Sequence, residues 1–264
     1  MATTLTVSVL GSSSKANCTL VACGDDALLI DAGFSCRETL RRLGEALPGL
    51  DLAAIHAICL THEHSDHVAG IRMLQKKLGL PIYATGDTAR AADPDGQLSW
   101  HYLMPSSPFH IGPFRITAFR VPHDAFDPVG YRVECGGLAV GIATDLGTPT
   151  ATVRQYLANC DILVLESNHE PSRLRDSGRP PHLIQRILSN QGHLSNDVCA
   201  GLLAELCDVR PPRHVLLAHL SADCNDRDLC LYTSRHRLAQ AGYPNVAVQL
   251  TRSDAPTTVS LPLP

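Results

Sequence analysis

The chain has few aromatic residues and no long hydrophobic run. Aromatic side chains make up 5% of its 264 residues, which leaves few platforms for stacking single-stranded bases. No apolar stretch reaches the roughly 20 residues of a transmembrane helix. The start of the chain also lacks the basic residues and apolar segment of a secretory signal. We therefore expect a cytoplasmic protein that has no membrane partner.

Paired cysteine motifs and a strong net charge are also missing. The ten cysteines are scattered without a Cys-x-x-Cys pair, and in a long chain this pattern favours reduced, mostly buried thiols. The net charge of −4 gives no overall attraction to nucleic acid, so a polyanionic substrate would need local arginines or bound metals. The sequence shows no internal repeat and no low-complexity linker, so we expect residues 1–264 to form one domain.

Short strands and amphipathic helices alternate along both halves of the chain. Three early strands are predicted to form a meander, at 5–10, 19–23 and 27–30. The other predicted strands are 55–60, 81–84, several within 109–143, 162–165, 214–217 and 246–250. The predicted helices are 35–46, 68–78, 150–158, 181–188, 196–207 and 226–241. Interleaving of this kind is typical of an α/β fold with two mixed β-sheets face to face and flanking helices, a four-layer αβ/βα sandwich.

A dense group of metal-ligand side chains follows the predicted strand at 55–60. Residues 61–67 read Thr-His-Glu-His-Ser-Asp-His. Because side chains two positions apart share a face, His62 and His64 are expected on one side of the loop, while Asp66 and His67 can face a second ion. Imidazole and carboxylate suit zinc, manganese or iron. The spacing predicts two neighbouring metals rather than a loop of solvated histidines.

Four later motifs each place a histidine or a carboxylate in a loop just beyond a strand, where active sites are usually assembled. These residues are His123, Asp145, His193 and His219. Together with residues 62–67 they resemble the motifs of the metallo-β-lactamase superfamily of binuclear hydrolases, over nearly the whole chain. The ligand sets that this resemblance implies are His62, His64 and His123 for one metal, Asp66, His67 and His219 for the other, and Asp145 as the bridge.

The resemblance also implies roles for residues around the ligands. The Asp31-Ala-Gly turn resembles the superfamily's Asp-x-Gly turn, whose aspartate supports the metal loop from behind the ligands. Glu166 and His169 are expected to give the same support, with a solvated strand-end carboxylate as the alternative for Glu166. The paired Gly192-His-Leu-Ser and Ala218-His-Leu-Ser motifs resemble those of nucleic-acid-processing members. These motifs imply that His193 is the general acid or the phosphate contact. The alternative is that His193 and His219 exchange roles.

One branch of the superfamily matches the whole set of motifs best. The motifs look most like those of the YycJ (WalJ) branch, whose members are regarded as metal-dependent DNA exonucleases. The chain departs from that branch in the turn Ser14-Lys-Ala-Asn-Cys18, which is one residue longer than the usual Ser-Gly-Asn-Cys turn and lacks its glycine. This loop is expected to approach the substrate.

Several arginines follow the strand that ends near Glu166. Such a cluster is usually a solvated face, yet spaced phosphates can bind arginine forks. The residues assigned to substrate binding are Arg173, Arg175 and Arg179, with Arg186 close to them in the sequence.

The sequence as a whole predicts a binuclear metal-dependent phosphodiesterase, foremost a DNA exonuclease. A hydroxide bridging two divalent ions, zinc or manganese or else iron, would attack phosphorus, with Asp66 and His193 as catalytic residues. One alternative keeps the centre but acts on a small phosphodiester, a thioester or a lactone; another is a non-catalytic metal sensor or adaptor. A wide basic groove beside the metals would favour nucleic acid, and a closed pocket would favour the small ester.

Overall fold

The computed structural model describes residues 3–264, which form two β-sheets packed face to face with helices on both outer faces. The strands are β1 (Thr4–Gly11), β2 (Cys18–Cys23), β3 (Asp26–Ile30), β4 (Ile55–Cys59), β5 (Ile82–Ala84), β6 (Trp100–Tyr102), β7 (Phe109–Ile111), β8 (Phe114–Arg120), β9 (Val129–Cys135), β10 (Leu138–Ala143), β11 (Ile162–Glu166), β12 (His214–Ala218), β13 (Ala247–Leu250) and β14 (Thr257–Pro262). The helices are α1 (Cys36–Ala46), α2 (Ser65–Val68), α3 (Ile71–Leu78), α4 (Gly86–Ala92), α5 (Ala151–Leu157), α6 (Pro171–Arg175), α7 (Pro181–Leu188), α8 (Asn196–Val209) and α9 (Arg227–Gln240), besides a short 3-10 turn (Leu52–Ala54).

Each sheet has seven strands, partly antiparallel and partly parallel. The N-terminal sheet has the order β14-β1-β2-β3-β4-β5-β6, and the C-terminal sheet has the order β13-β12-β11-β10-β9-β8-β7. Strands β14 to β3 pair antiparallel, as the predicted meander requires, and β3 to β6 pair parallel. The C-terminal sheet repeats this division, with β10 to β13 parallel and β7 to β10 antiparallel. The two mixed sheets of the predicted sandwich are thus confirmed.

Three apolar clusters fill the spaces between the four layers. Because side chains alternate along a strand, Val7 of β1 and Val140 of β10 point into the cluster between the sheets. Their neighbours on the opposite faces pack against helices, as Leu29 does against the α1 and α3 layer and Leu165 does against the α5, α8 and α9 layer. Strands buried on both faces explain why so many of them read as continuous apolar runs.

The longer helices begin at side-chain caps that the sequence shows in advance. Ser35, Ser195 and Asp226 each accept a hydrogen bond from the backbone N–H three residues ahead, at the starts of α1, α8 and α9. The single helix predicted at 68–78 is instead two helices, α2 and α3, separated at Gly70. The Gly70 N–H donates to Ala32 O at 2.8 Å, and a Cβ there would lie 2.0 Å from Phe34 O. Close packing on the 31–34 turn therefore interrupts the helix.

Other differences concern elements with weak sequence signals. The loop predicted at 93–108 contains β6, and α4, α6 and β14 were not predicted. Strand β14 pairs with β1 through Val7 and Val259, but only two of its residues are buried, so its alternation is faint. Among residues 3–264, no helix combines the length and apolarity that crossing a membrane requires.

One expectation about the cysteines is wrong. Cys23 at the end of β2 and Cys135 at the end of β9 form a disulfide, with Cα atoms 6.6 Å apart. The other eight cysteines are free, and all of them except Cys36 are buried. The pair is separated by 112 positions in sequence, and only the face-to-face packing of the two sheets brings the strand ends together.

Candidate metal centre

The predicted ligands meet at one edge of the sandwich, beyond the carboxyl ends of several strands. Residues 62–67 follow β4, His123 follows β8, Asp145 follows β10 and His219 follows β12. Because parallel strands end at the same edge of a sheet, loops that are far apart in sequence are collected there. The structure therefore brings all seven predicted ligands together.

The first implied ligand set consists of three histidines. One ring nitrogen each of His62, His64 and His123 lies within 4.8 Å of the other two. His62 Nε2 is 3.1 Å from His64 Nδ1, and His123 Nε2 is 3.4 Å from the same atom. Since His123 Nδ1 faces Gly192 O at 3.2 Å, Nδ1 carries the proton and Nε2 presents its lone pair to the cluster.

The second implied set joins residues from both halves of the chain. The ligand atoms of Asp66, His67 and His219 also lie within 4.8 Å of one another. Asp66 Oδ2 is 3.4 Å from His67 Nε2 and 3.7 Å from His219 Nε2. His67 and His219 are buried, whereas Asp66 is partly exposed, so the set opens toward solvent at the carboxylate.

Asp145 lies between the two sets. Its Oδ2 is 3.1 Å from His67 Nε2, and its Oδ1 is 3.8 Å from His123 Nε2 and 3.4 Å from His219 Nδ1. Burial opposes the charged carboxylate, but the nearby imidazoles of His219 and His67 outweigh it and hold the pKa of Asp145 well below its ordinary value. A buried carboxylate that stays ionised between two ligand sets is in the position of a bridge.

Two buried ligand atoms in this cluster have no hydrogen-bond partner within residues 3–264. They are Asp145 Oδ2 and His219 Nε2. Because buried polar atoms in proteins are almost always satisfied, such atoms within a cluster of imidazoles and carboxylates call for a partner, which a positive ion can supply. The donors are imidazoles and carboxylates, which suit divalent first-row metals, so the residues present fit the cofactor that the sequence predicts.

Asp31 holds the metal loop from the N-terminal sheet. Its Oδ2 accepts a hydrogen bond from His67 Nδ1 at 2.8 Å, and its Oδ1 accepts one from Thr61 N at 2.8 Å. The Thr61 hydroxyl lies within 3.0 Å of both carboxylate oxygens. This arrangement fixes the His67 ring so that Nε2 faces Asp66 and Asp145, which is the supporting contact expected from the Asp-x-Gly turn.

Glu166 orients two histidines, as Asp31 orients His67. Its Oε1 accepts hydrogen bonds from His193 Nδ1 at 2.8 Å and His219 Nδ1 at 2.7 Å. Its Oε2 accepts hydrogen bonds from the backbone N–H groups of Leu146 and Leu194 at 2.8 and 3.0 Å. The side chain is fully buried, so the alternative of a solvated strand-end charge does not apply to it.

The carboxylates and histidines around Glu166 shift one another's pKa values. Burial opposes ionisation of Glu166, but His193 and the hydrogen bonds from both histidines prevail and lower its pKa to about 2. Burial likewise opposes the His219 imidazolium, yet Asp145, Asp66 and Glu166 together raise the pKa of His219 to about 10. In the absence of metal, protons on these histidines thus compensate the carboxylates, and binding of metal would release them.

His193 differs from His219 in its exposure and in the possible ligand groups to which it belongs. His193 is partly exposed, with 19% of its side chain accessible, and it lines an enclosed cleft next to the cluster. It belongs to a possible ligand group only with Asp145, Glu166 and His219, whereas His219 also groups with Asp66 and His67. The geometry favours His219 over His193 as the partner of Asp66.

His169 is buried but makes none of the supporting hydrogen bonds expected of it. Both of its ring nitrogens are buried without a partner in the described part of the chain, and its backbone forms a bridge to Ser195. Burial, opposed only in part by Glu166, lowers the pKa of His169 to about 4. The residue therefore lies near the site as a neutral, unpaired imidazole.

Asn17 is a site residue that the sequence did not reveal. It is 4% exposed, and its Nδ2 lies 3.0 Å from Asp66 Oδ2. Its Oδ1 accepts hydrogen bonds from the Ser12 hydroxyl at 2.7 Å and from Ser13 N at 3.1 Å, which fixes the orientation of the amide. The Ser12 hydroxyl in turn accepts a hydrogen bond from His219 N at 2.9 Å. The turn that departs from the usual pattern thus connects Asp66 to His219.

The arginines predicted to bind substrate are spread over two places. Arg173 on α6 pairs with Asp226 at 3.0 Å, and Arg175 on the same helix is exposed. Arg179 pairs with Asp223 at 3.2 Å and lines the cleft that His193 lines. Arg186 of α7, which was not assigned to the substrate, lines the same cleft and pairs with Asp124.

Cavity size alone would not have located this site. The cleft beside His193 measures about 170 Å³, while clefts of about 580 and 600 Å³ lie at α4 and β6 and near the 3-10 turn. Neither of the larger clefts is lined by any of the predicted ligands. The donor set, and not the volume, identifies the candidate centre.

Known proteins resemble this chain in sequence and in fold. Residues 27–220 match the family model described as the beta-lactamase superfamily domain. The chain is 31% identical over 242 residues to the exodeoxyribonuclease YycJ of Bacillus anthracis, covering 89% of this chain and 90% of that protein. It is 32% identical over 243 residues to the exodeoxyribonuclease WalJ of Streptococcus pneumoniae, covering 89% of this chain and 88% of that one.

A solved structure shares the same architecture. The metallo-β-lactamase fold protein YhfI from Bacillus subtilis superposes with a TM-score of 0.72 at 21% identity, covering 97% of this chain and all of that chain. At this level of identity the likeness concerns the fold alone.

Proposed function

Because the chain belongs to the metallo-β-lactamase superfamily, in its YycJ/WalJ branch, and is a metal-dependent hydrolase, we propose that it is a binuclear phosphodiesterase that degrades DNA from a strand end. The observation that carries the proposal is the pair of ligand sets on either side of Asp145, each complete and each within 4.8 Å. The names of the two relatives supply the substrate class.

In this proposal the residues keep the roles that their contacts favour. His62, His64 and His123 would hold one divalent ion, Asp66, His67 and His219 would hold the other, and Asp145 would be shared by the two sites. Zinc or manganese, or else iron, suits these donors. Two bound ions supply an activated water as nucleophile and neutralise charge on the phosphate oxygens. As a ligand of the second ion, Asp66 would be part of the catalytic centre.

His193 moves the proton on the leaving side. Its Nδ1 donates to Glu166 at 2.8 Å, so its Nε2 is left to face a substrate. Burial lowers the affinity of His193 for a proton, but Glu166 and Asp145 outweigh burial and raise its pKa above the ordinary value. A protonated imidazole beside the reacting phosphate can protonate the departing oxygen.

The arginines offer contacts for the rest of the strand. Arg173, Arg175 and Arg179 lie along the segment that leads from α6 to the cleft, and their partners are exposed carboxylates where they have one. Exposed ion pairs of this kind are weak, so phosphates can replace the carboxylates. We assign these three arginines to contacts with substrate phosphates outside the metal centre.

A small phosphodiester is the second candidate substrate. The cleft beside His193 is enclosed and holds only about 170 Å³, which suits a small ester better than a wide groove would. The metal centre and the role of His193 would be unchanged. What differs is the length of substrate that the surface outside the cleft must bind.

One comparison of substrates tests the proposal. Metal-free protein is reloaded with zinc or with manganese and offered end-labelled duplex DNA, single-stranded DNA, RNA and bis-p-nitrophenyl phosphate side by side. We expect stepwise release of nucleotides from DNA by the metal-loaded protein only. Hydrolysis of bis-p-nitrophenyl phosphate without any release from polynucleotides would transfer the assignment to the small ester, and inactivity on all four would contradict a phosphodiesterase.

A further inference from the structure

The cleft beside His193 is contiguous with the metal cluster. Asp124, one of its lining residues, has Oδ1 3.3 Å from His123 Nε2 of the first ligand set. His193, another lining residue, has Nδ1 3.7 Å from Asp145 Oδ1. A group bound in the cleft is therefore a direct neighbour of a phosphate that lies on the metals.

The cleft is rich in hydrogen-bond donors. Arg179 and Arg186 enter it from the segment 179–186, and Ser14 and Ser221 add hydroxyl groups. The one carboxylate in the lining, Asp124, already pairs with Arg186, so its charge is compensated. Planar guanidinium groups bind phosphate through two parallel hydrogen bonds, and this lining suits a phosphate.

The arginines are available for such a ligand. The partner of Arg179 is Asp223, whose side chain is 77% exposed, and an ion pair with so exposed a carboxylate is worth little. The side chain of Arg186 is itself 56% exposed. Arg186 pairs with Asp124 through its Nε, so its terminal nitrogens can bind an incoming phosphate while Asp124 keeps its partner.

The cleft offers donors for one phosphate group. It has a volume of about 170 Å³, and the arginines in its lining are Arg179 and Arg186. Leu183 and Ile187 of α7, which form another part of its wall, are apolar and offer nothing to a further phosphate. A phosphate bound here, next to the metal cluster, therefore has no second phosphate site beyond it within the cleft, as the last phosphate of a strand requires.

We propose that Arg179 and Arg186 bind the terminal phosphate of the strand and place the neighbouring phosphodiester on the metal cluster. The inference rests on the proposed function, because it needs a polynucleotide substrate. It makes the enclosed cleft the feature that restricts cleavage to strand ends, whereas the same cleft in a small-ester enzyme would bind the scissile group itself.

The test uses three duplex DNAs of one sequence that carry a phosphate on the 5′ ends, on the 3′ ends or on neither. We expect metal-loaded wild type to begin on one phosphorylated end with kcat/KM about tenfold or more above the unphosphorylated end, the size of a lost charge-assisted hydrogen bond. Arg186→Gln and Arg179→Gln should lose that preference, and Arg186→Lys should keep part of it.

Arg90→Gln is the matched control. Arg90 is an exposed arginine of α4 with one acidic partner, Asp87 at 3.0 Å, so its loss removes the same charge away from the cleft and should leave the preference intact. Equal wild-type rates on the three DNAs would overturn the inference while the proposed function stands. So would a preference that survives in both cleft variants, or one that Arg90→Gln also abolishes.

Bis-p-nitrophenyl phosphate separates the remaining outcomes. If the cleft holds only the terminal phosphate, the Arg179 and Arg186 variants should lose much less activity on this short ester than on DNA. Equal losses on both substrates would assign the cleft to the scissile group and contradict the inference. If wild type hydrolyses the ester but releases nothing from any DNA, the proposed function fails, and the inference fails with it.

Discussion

The two sheets build their halves of the metal centre by the same device. Asp31 directly follows β3 and holds the Nδ1 of His67, which lies beyond the neighbouring parallel strand β4. Glu166 ends β11 and holds the Nδ1 of His219, which lies beyond the neighbouring parallel strand β12. In each half a buried carboxylate fixes one ring nitrogen so that the other faces the cluster.

The two halves differ in the further hydrogen-bond partners of Asp31 and Glu166. The other hydrogen bonds of Asp31 come from the backbone N–H and the hydroxyl of Thr61. Asp31 therefore orients a single histidine in a buried environment. Glu166 divides one oxygen between His219 and the partly exposed His193. The carboxylate of the first half thus orients one candidate ligand. The carboxylate of the second half connects a candidate ligand to His193, the residue that we propose as the proton donor.

The largest effect is expected where the halves meet. Asp145→Ala removes the carboxylate that contacts His67 of one half and His219 of the other. We expect both ions to be lost and kcat/KM to fall by more than the 10- to 100-fold typical of residues behind the ligands. Metal analysis of the purified variant measures this, and two ions per chain would show that Asp145 is not the bridge.

The next effect tests whether His193 and His219 have different roles. His193→Ala should keep both metals while kcat falls by roughly 10²- to 10⁴-fold, the usual contribution of a general acid. His219→Ala should lose the second metal. If instead His193→Ala loses an ion and His219→Ala keeps both, the two residues have exchanged roles.

Smaller effects are expected for Asp31 and Glu166, the two carboxylates that orient candidate ligand histidines. Asp31→Asn and Glu166→Gln keep the shape of each side chain but weaken the hydrogen bond to the ligand histidine. Each should reduce metal affinity about 10- to 100-fold. Only Glu166→Gln should also change the pH profile of kcat at saturating metal, because only Glu166 contacts His193. Identical pH profiles for the two variants would remove the difference between the halves.

His169 provides the contrast of a buried histidine without a carboxylate partner. Its pKa of about 4 lies below the value of 6.5 expected when unfolded, so the unfolded chain binds the proton first as the pH falls. Stability is therefore lost between about pH 6.5 and 4, by an amount on the order of 1–3 kcal/mol.

Replacing His169 with Asn should make the free energy of unfolding of the metal-free protein less sensitive to pH over this interval. Urea unfolding at several pH values measures the change. A slope equal to that of wild type would indicate that His169 has a partner in solution.

Much of the fold was predictable because its signals are local. The strand at 162–166 and the helix at 181–188 appear within a residue of their predicted bounds, since apolar runs, caps and prolines act over a few positions. Strand β14 and the split at Gly70 were not predictable. One depends on pairing with β1 at the far end of the chain, and the other depends on contact with the 31–34 turn.

The candidate site likewise contains residues that the sequence reveals and residues that only the structure reveals. The residues of the loop at 62–67 could be named as ligands because their spacing is itself the signal. Asn17 carries no such signal, since an asparagine in a polar turn is common and only its contact with Asp66 makes it part of the site. Arg186 resembled its neighbours in sequence, and only the placement of α7 beside His193 distinguishes it.

The sequence by itself indicated the candidate metal ligands, those of the 62–67 loop by their spacing and the later ones by resemblance to a known family, and it indicated two sheets with flanking helices. Tertiary structure alone decided how these side chains contact one another. His67 and His219 lie in opposite halves of the chain, and they meet only because the loops of two packed sheets open at one edge. The sharing of Glu166 by two histidines and the closed cleft beside them arise from that packing, which brings distant residues within hydrogen-bond distance.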